Sequence, residues 1–68
     1  MMISVTINGG ARAFAQAPTC AELLSELELA GKRVAIERNG EIVPRSRFDD
    51  CRLENGDQLE IVVAVGGG

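Results

Sequence analysis

The chain predicts an α+β fold, one mixed β-sheet packed on one main helix. Three observations carry that expectation. Apolar residues alternate with period two at both ends of the chain, a single helical stripe lies between them behind a capping signal, and Asn-Gly pairs punctuate the remaining extended segments. With 68 residues the expectation is a single domain over 1–68 with a flexible tail at 66–68. A chain of that size buries only about 60% of the surface its unfolded form exposes, so one thin core is all it can build.

Ile3, Val5 and Ile7 alternate with Ser4 and Thr6, the pattern of a strand with one buried face. Asn8-Gly9-Gly10 supplies the positive φ of a tight turn, so Ala11 to Ala15 should return as a paired strand carrying Phe14. In Pro18-Thr19-Cys20-Ala21-Glu22, Thr19 can cap a helix while Glu22 reaches back to complete a capping box. Cys20, Leu23, Leu24 and Leu27 then form its apolar stripe, and Gly31 is the expected stop. Val34 to Glu37 reads as a third strand with Val34 and Ile36 inward. Asn39-Gly40 turns the chain into Glu41-Ile42-Val43, which Pro44 ends. From Arg45 to Leu53 a loop or single helical turn is expected, anchored by Phe48 and Leu53. After Asn55-Gly56-Asp57, the segment Gln58 to Val65 is the most regular strand, with Leu59, Ile61, Val63 and Val65 on one face. A right-handed crossover through the helix places the first and last strands side by side and parallel.

Composition narrows the function. A net charge of −3 with scattered basic residues argues against nucleic-acid binding, which rests on clustered Lys and Arg. No apolar run approaches the roughly 18 residues of a membrane span, and Met1-Met2-Ile3-Ser4 does not read as a signal peptide. A cytoplasmic protein is expected, with neither nucleic acid nor membrane as partner. The chain has no His, Tyr or Trp, and a core this thin leaves little room for a substrate cavity of roughly 300 Å³ or more. No catalytic residue and no metal site are assigned.

The remaining candidates are few. Asp49 and Asp50 sit in a polar loop and read as solvated surface. Cys20 falls in the first helical turn, where the helix dipole favours a thiolate, but it shares the stripe of Leu23, Leu24 and Leu27 and reads as a small core residue. Cys20 and Cys51 are expected to be reduced, since a disulfide requires Cα atoms within about 7 Å. That leaves Gly66-Gly67-Gly68, which follows the last strand without a polar linker. Glycine lets a backbone enter a narrow channel, and three extended residues reach at most about 10 Å. Ordering them costs on the order of 1 to 2 kcal/mol each, to be offset by docking of the folded body. Val62 and Ala64, on the face opposite the core by strand phase, are the expected docking residues.

Asn39-Gly40-Glu41-Ile42-Val43-Pro44-Arg45, followed by Asn55-Gly56-Asp57-Gln58-Leu59-Glu60-Ile61 and the closing glycines, resembles the ThiS family, the sulfur carriers of thiamin biosynthesis. The resemblance covers essentially the whole chain. It implies a β-grasp, ubiquitin-like fold and a carrier that is not itself an enzyme and binds no cofactor. A ThiF-like adenylating enzyme using ATP and Mg²⁺ would activate the carboxylate of Gly68. A persulfide donor would convert it to a thiocarboxylate, and a ThiG-like thiazole synthase would receive the sulfur. Gly67 and Gly66 would be the recognised tail; the family ends on Gly-Gly, so Gly66 is an extra residue that lengthens the arm. Arg45 fits the family's Pro-Arg pattern, with a surface salt bridge and a partner contact both open. Three alternatives stand beside this reading. A MoaD-like small subunit of molybdopterin synthase usually has a longer chain with prolines before its glycines, which Val62-Val63-Ala64-Val65 lacks. A β-grasp binding module with an inert tail and a protein-conjugating modifier are the others.

Overall fold

The computed structural model describes residues 2–64. Its elements in chain order are β1 (Ile3–Ile7), β2 (Gly10–Phe14), α1 (Cys20–Glu26), β3 (Val34–Arg38), β4 (Glu41–Val43), a 3-10 turn (Arg45–Arg47) and β5 (Gln58–Val63). The strands form one mixed sheet in the order β2-β1-β5-β3-β4. β1 and β5 run parallel, with Thr6 opposite Gln58 and Ile7 opposite Leu59, and every other pair is antiparallel. The last strand therefore occupies the middle of the sheet, beside the first, as the crossover argument expects.

One face of the sheet carries the core. Ile3, Val5, Ile36, Leu59 and Ile61 pack with Cys20, Leu23 and Leu24 of the helix, and Phe48 and Leu53 close the cluster from the 48–53 segment. Burying each of these aliphatic or aromatic side chains contributes roughly 1.5 to 3 kcal/mol. Leu27 and Val34 are only partly buried at its margin.

The turns do more than reverse the chain. Asn8 (φ 49°) and Gly9 (φ 85°) both take positive φ, as a type I′ hairpin turn demands. The Asn8 side chain then acts as a further strand residue: its Oδ1 accepts from the Ile61 N–H at 2.7 Å and its Nδ2 donates to the Ile61 carbonyl at 3.1 Å. Asn39 (φ 51°) works similarly on the other side. Its Oδ1 accepts from the Gln58 N–H at 2.9 Å, and its Nδ2 donates to Asp57 Oδ1 at 3.1 Å.

Asp57, almost fully buried, pins the start of β5. Its Oδ2 accepts from Arg38 Nε and from the Glu54 N–H, each at 2.8 Å. Burial by itself would push this carboxyl up, but the Glu54 N–H, the Asn39 amide and the Arg38 guanidinium outweigh it and hold the group below its ordinary value.

The helix begins where the capping signal places it. Thr19 Oγ1 accepts from the Glu22 N–H at 3.1 Å and Glu22 Oε1 accepts from the Thr19 N–H at 2.8 Å, a complete capping box. Its end differs from expectation. The helix stops at Glu26, and the left-handed residue is Glu28 (φ 61°) rather than Gly31. Leu29 N–H donates to the Leu24 carbonyl at 2.7 Å and Glu28 N–H to that of Ser25 at 3.1 Å, the paired bonds of a Schellman motif. Gly31 (φ 83°) serves the next turn, where Lys32 N–H donates to the Leu29 carbonyl at 3.1 Å. Smaller shifts occur in two strands. β2 runs from Gly10 to Phe14 rather than from Ala11 to Ala15, because Gly10 already pairs with Ile7. β5 ends at Val63, and the expected Val65 lies outside the described residues.

Two substitutions to glycine should act in opposite directions. Asn8→Gly keeps the turn conformation but strips both side-chain bonds from Ile61, and should cost about 1 to 2 kcal/mol in urea unfolding. Glu28→Gly relieves a left-handed L-residue and should raise stability by about 0.5 to 1 kcal/mol in the same measurement.

Candidate functional site

The candidate site lies where β5 runs out toward the closing glycines. Within that strand Leu59 and Ile61 face the core, so the alternate residues must face outward. Val62 is 63% exposed and Ala64 is exposed as well, which is where strand phase puts them. Ala64 stays tethered: its N–H donates to the Arg33 carbonyl at 2.8 Å. Gly66, Gly67 and Gly68 lie outside the described residues.

Around this end the outer face forms a shallow open depression lined by Arg33, Val34, Ala35, Arg45, Val62 and Ala64. Val62 stands directly opposite Ala35 across the β3–β5 ladder. Arg45 reaches the same place from the 3-10 turn after Pro44. Among the described residues both ion pairs belong to Arg38, and Arg45 lines the depression beside the apolar patch. The site thus has a small apolar centre, Val62, Ala35 and Ala64, with Arg33 and Arg45 beside it.

Further from the tail the same face changes character. Glu37 and Glu60 stand opposite each other, a like-charge cross-strand pair that disfavours the bare sheet. Ile42, opposite Glu37 on the other side, is 66% exposed. Sequence reasoning left out Ala35, Arg33 and Ile42. The signal for Ile42 was available, since the Asn39-Gly40 turn fixes the hairpin register and sets Ile42 across from Glu37. Nothing in the local sequence marks Arg33, which reaches the site only through the pairing of distant strands.

The thiols stand apart from this face. Cys20 has no exposed surface, and burial, with the neighbouring Cys51 thiol adding to it, pushes its pKa up to about 12. A thiol so buried is neutral and packs as a small apolar group, as read from the helical stripe.

Residues 5–68 match the family model described as the ThiS family. The chain belongs to the ThiS family. The match runs through the final residue, so the closing glycines fall inside the family pattern. A sulfur carrier protein ThiS of Bacillus subtilis is 42% identical over 50 residues, 74% of this chain and 76% of that protein. A thiazole synthase of Paramagnetospirillum magneticum is 44% identical over 66 residues, 97% of this chain; the chain spans only 20% of that relative's length. Among solved structures, the crystal structure of the thiamine biosynthesis protein ThiS from Geobacter metallireducens superposes with a TM-score of 0.81 at 35% identity, covering 97% of this chain and 100% of that one. The mixed sheet on one helix is accordingly the β-grasp fold of the ThiS structures.

Strand phase at the site is testable on its own. Val62→Asp places a charge on an already wet face and should change stability by no more than about 0.5 kcal/mol. Ile61→Asp, one residue away, buries an unpaired carboxylate and should abolish the cooperative thermal transition seen by circular dichroism.

Proposed function

We propose that this protein is the sulfur carrier of a thiamin pathway, working through the carboxylate of Gly68. The observation that carries the reading is the family match extending through the three glycines, directly after a strand whose outer residues are free to dock. A carboxylate is a poor electrophile, so a ThiF-like enzyme first activates it. The carboxylate oxygen attacks the α-phosphorus of ATP, with Mg²⁺ on the nucleotide, and pyrophosphate leaves. The terminal sulfur of a persulfide then attacks the acyl adenylate and displaces AMP. A second thiol cleaves the resulting acyl disulfide and frees the thiocarboxylate.

In this reading the carrier contributes binding and reach rather than a catalytic side chain. Val62 and Ala64, with Ala35 opposite Val62 on β3 and Arg33 and Arg45 beside them, dock the body on the activating enzyme. Docking offsets the ordering of Gly66 and Gly67 in the channel. The recipient is a ThiG-like thiazole synthase. That a 66-residue stretch of a protein named thiazole synthase is 44% identical to this chain supports the pairing, and the family match favours the thiamin branch over the molybdopterin one.

Incubation with the activating enzyme, ATP, Mg²⁺ and a persulfide source should exchange one oxygen for sulfur at the terminus, read by intact mass. Adding one Ala after Gly68 leaves the body unchanged but moves the carboxylate by about 3.5 Å, and should slow ATP–pyrophosphate exchange at least about 100-fold. Equal exchange rates for the two proteins would show that the terminal carboxylate is not the reactive group.

A further inference from the structure

The carrier reading leaves Cys20 and Cys51 without a task, yet the fold brings them together from distant parts of the sequence. Cys20 opens α1, and Cys51 follows the 3-10 turn. The Cys20 N–H donates to the Cys51 carbonyl at 2.8 Å. The adjoining residues Thr19 and Arg52 form an antiparallel bridge. Even laid out straight, a Cα–N bond, that hydrogen bond, a C=O and a C–Cα bond span about 7 Å, and the bend at the carbonyl carbon shortens the path. The two Cα atoms therefore fall within disulfide range. Both side chains belong to one packed cluster, Cys20 within it and Cys51 at its edge.

The two thiols differ in access. Cys20 is sealed. Cys51 is partly exposed and lines an open depression with Arg38, Val43, Pro44 and Arg47. Arg38 Nη1 donates to its sulfur at 3.6 Å, and Arg38 is itself fixed by Asp57 and Glu54. Cys51 is thus held in place beside Cys20 and reachable from solvent.

We propose that Cys20 and Cys51 form a reversible dithiol site that reacts with low-molecular-weight disulfides of the glutathione class, Cys51 attacking and Cys20 resolving. Cys51 loses its proton to solvent and its sulfur attacks one sulfur of the disulfide. That S–S bond breaks, and the first glutathione leaves as a thiolate that takes up a proton. Cys20 then gives up its proton and attacks the Cys51 sulfur, displacing the second glutathione. Two protein thiols become one disulfide, and the two electrons reside in two glutathione thiols. The bond closes across segments that Ala21 N–H to Phe48 carbonyl (3.0 Å) and Leu53 N–H to Pro18 carbonyl (2.9 Å) already join, so the backbone need not move far.

The proposal is independent of the sulfur-carrier reading and is tested without any partner. Reduced, folded protein is incubated with oxidised glutathione, quenched in acid and weighed intact. The wild type should lose two hydrogens and retain no glutathione. Cys20→Ser, or Cys20→Ala should the serine variant fail to fold by circular dichroism, should accumulate one glutathione on Cys51. Cys51→Ser should remain unmodified. The oxidised wild type should melt at a higher temperature than the reduced, and dithiothreitol should reverse both changes. A wild type that keeps a stable glutathione adduct, or whose thiols stay free while the urea-unfolded chain is oxidised, would overturn the proposal.

Discussion

The structure depends on how β5 is held. The strand lies at the centre of the sheet, but the strand beside it on one side comes from the opposite end of the chain, so their pairing closes a loop of nearly the whole sequence. The parallel ladder is short, with Thr6 and Ile7 facing Gln58 and Leu59. Asn8 continues it with its side-chain amide, offering Ile61 the donor and acceptor a strand backbone would have supplied. Asn39 caps the Gln58 N–H on the other flank, and the buried Asp57 carboxylate gathers Arg38, Asn39 and Glu54 just before the strand's first residue. The turn residues are thus also the clamps of the central strand.

That double use explains what was and was not legible in the sequence. Strand phases were readable because Ile3 and Val5, or Leu59 and Ile61, repeat with the pleat itself. The capping box at Thr19 and Glu22 was readable because its partners are neighbours in the chain. The helix end was not, since an L-residue such as Glu28 takes left-handed φ only where the surrounding bonds hold it there, and Gly31 offered the cheaper local answer. Asn8 and Asn39 announced tight turns, but their bonds to Ile61 and Gln58 cross between distant segments. The adjacency of Cys20 and Cys51 was hidden for the same reason. At the candidate site, Val62 and Ala64 followed from phase alone, whereas Arg33 and Ala35 needed the register between β3 and β5.

A sheet with one covered face divides its labour. The inner face, with the helix and the 48–53 segment, supplies the stability available to so short a chain. The outer face is left to acidic, apolar and basic residues that do not share in the core, and it changes from Glu37 and Glu60 to Val62, Ala35, Arg33 and Arg45 as it nears the tail. Substitutions on that face can alter recognition without touching the fold, which suits a protein proposed to meet several enzymes in turn. The thiol pair sits apart from it, against the helix and the loop.

The central position of β5 also sets how the molecule bears load. A force applied along the axis of β5 would meet resistance on both of its sides. An edge strand would have a ladder of hydrogen bonds on one side only. Here the ladders to β1 and β3 flank the strand and are loaded together in shear, with the Asn8 amide spanning one flank and the Asp57 cluster anchoring the far end. The handle is fixed to a strand bonded along both of its sides.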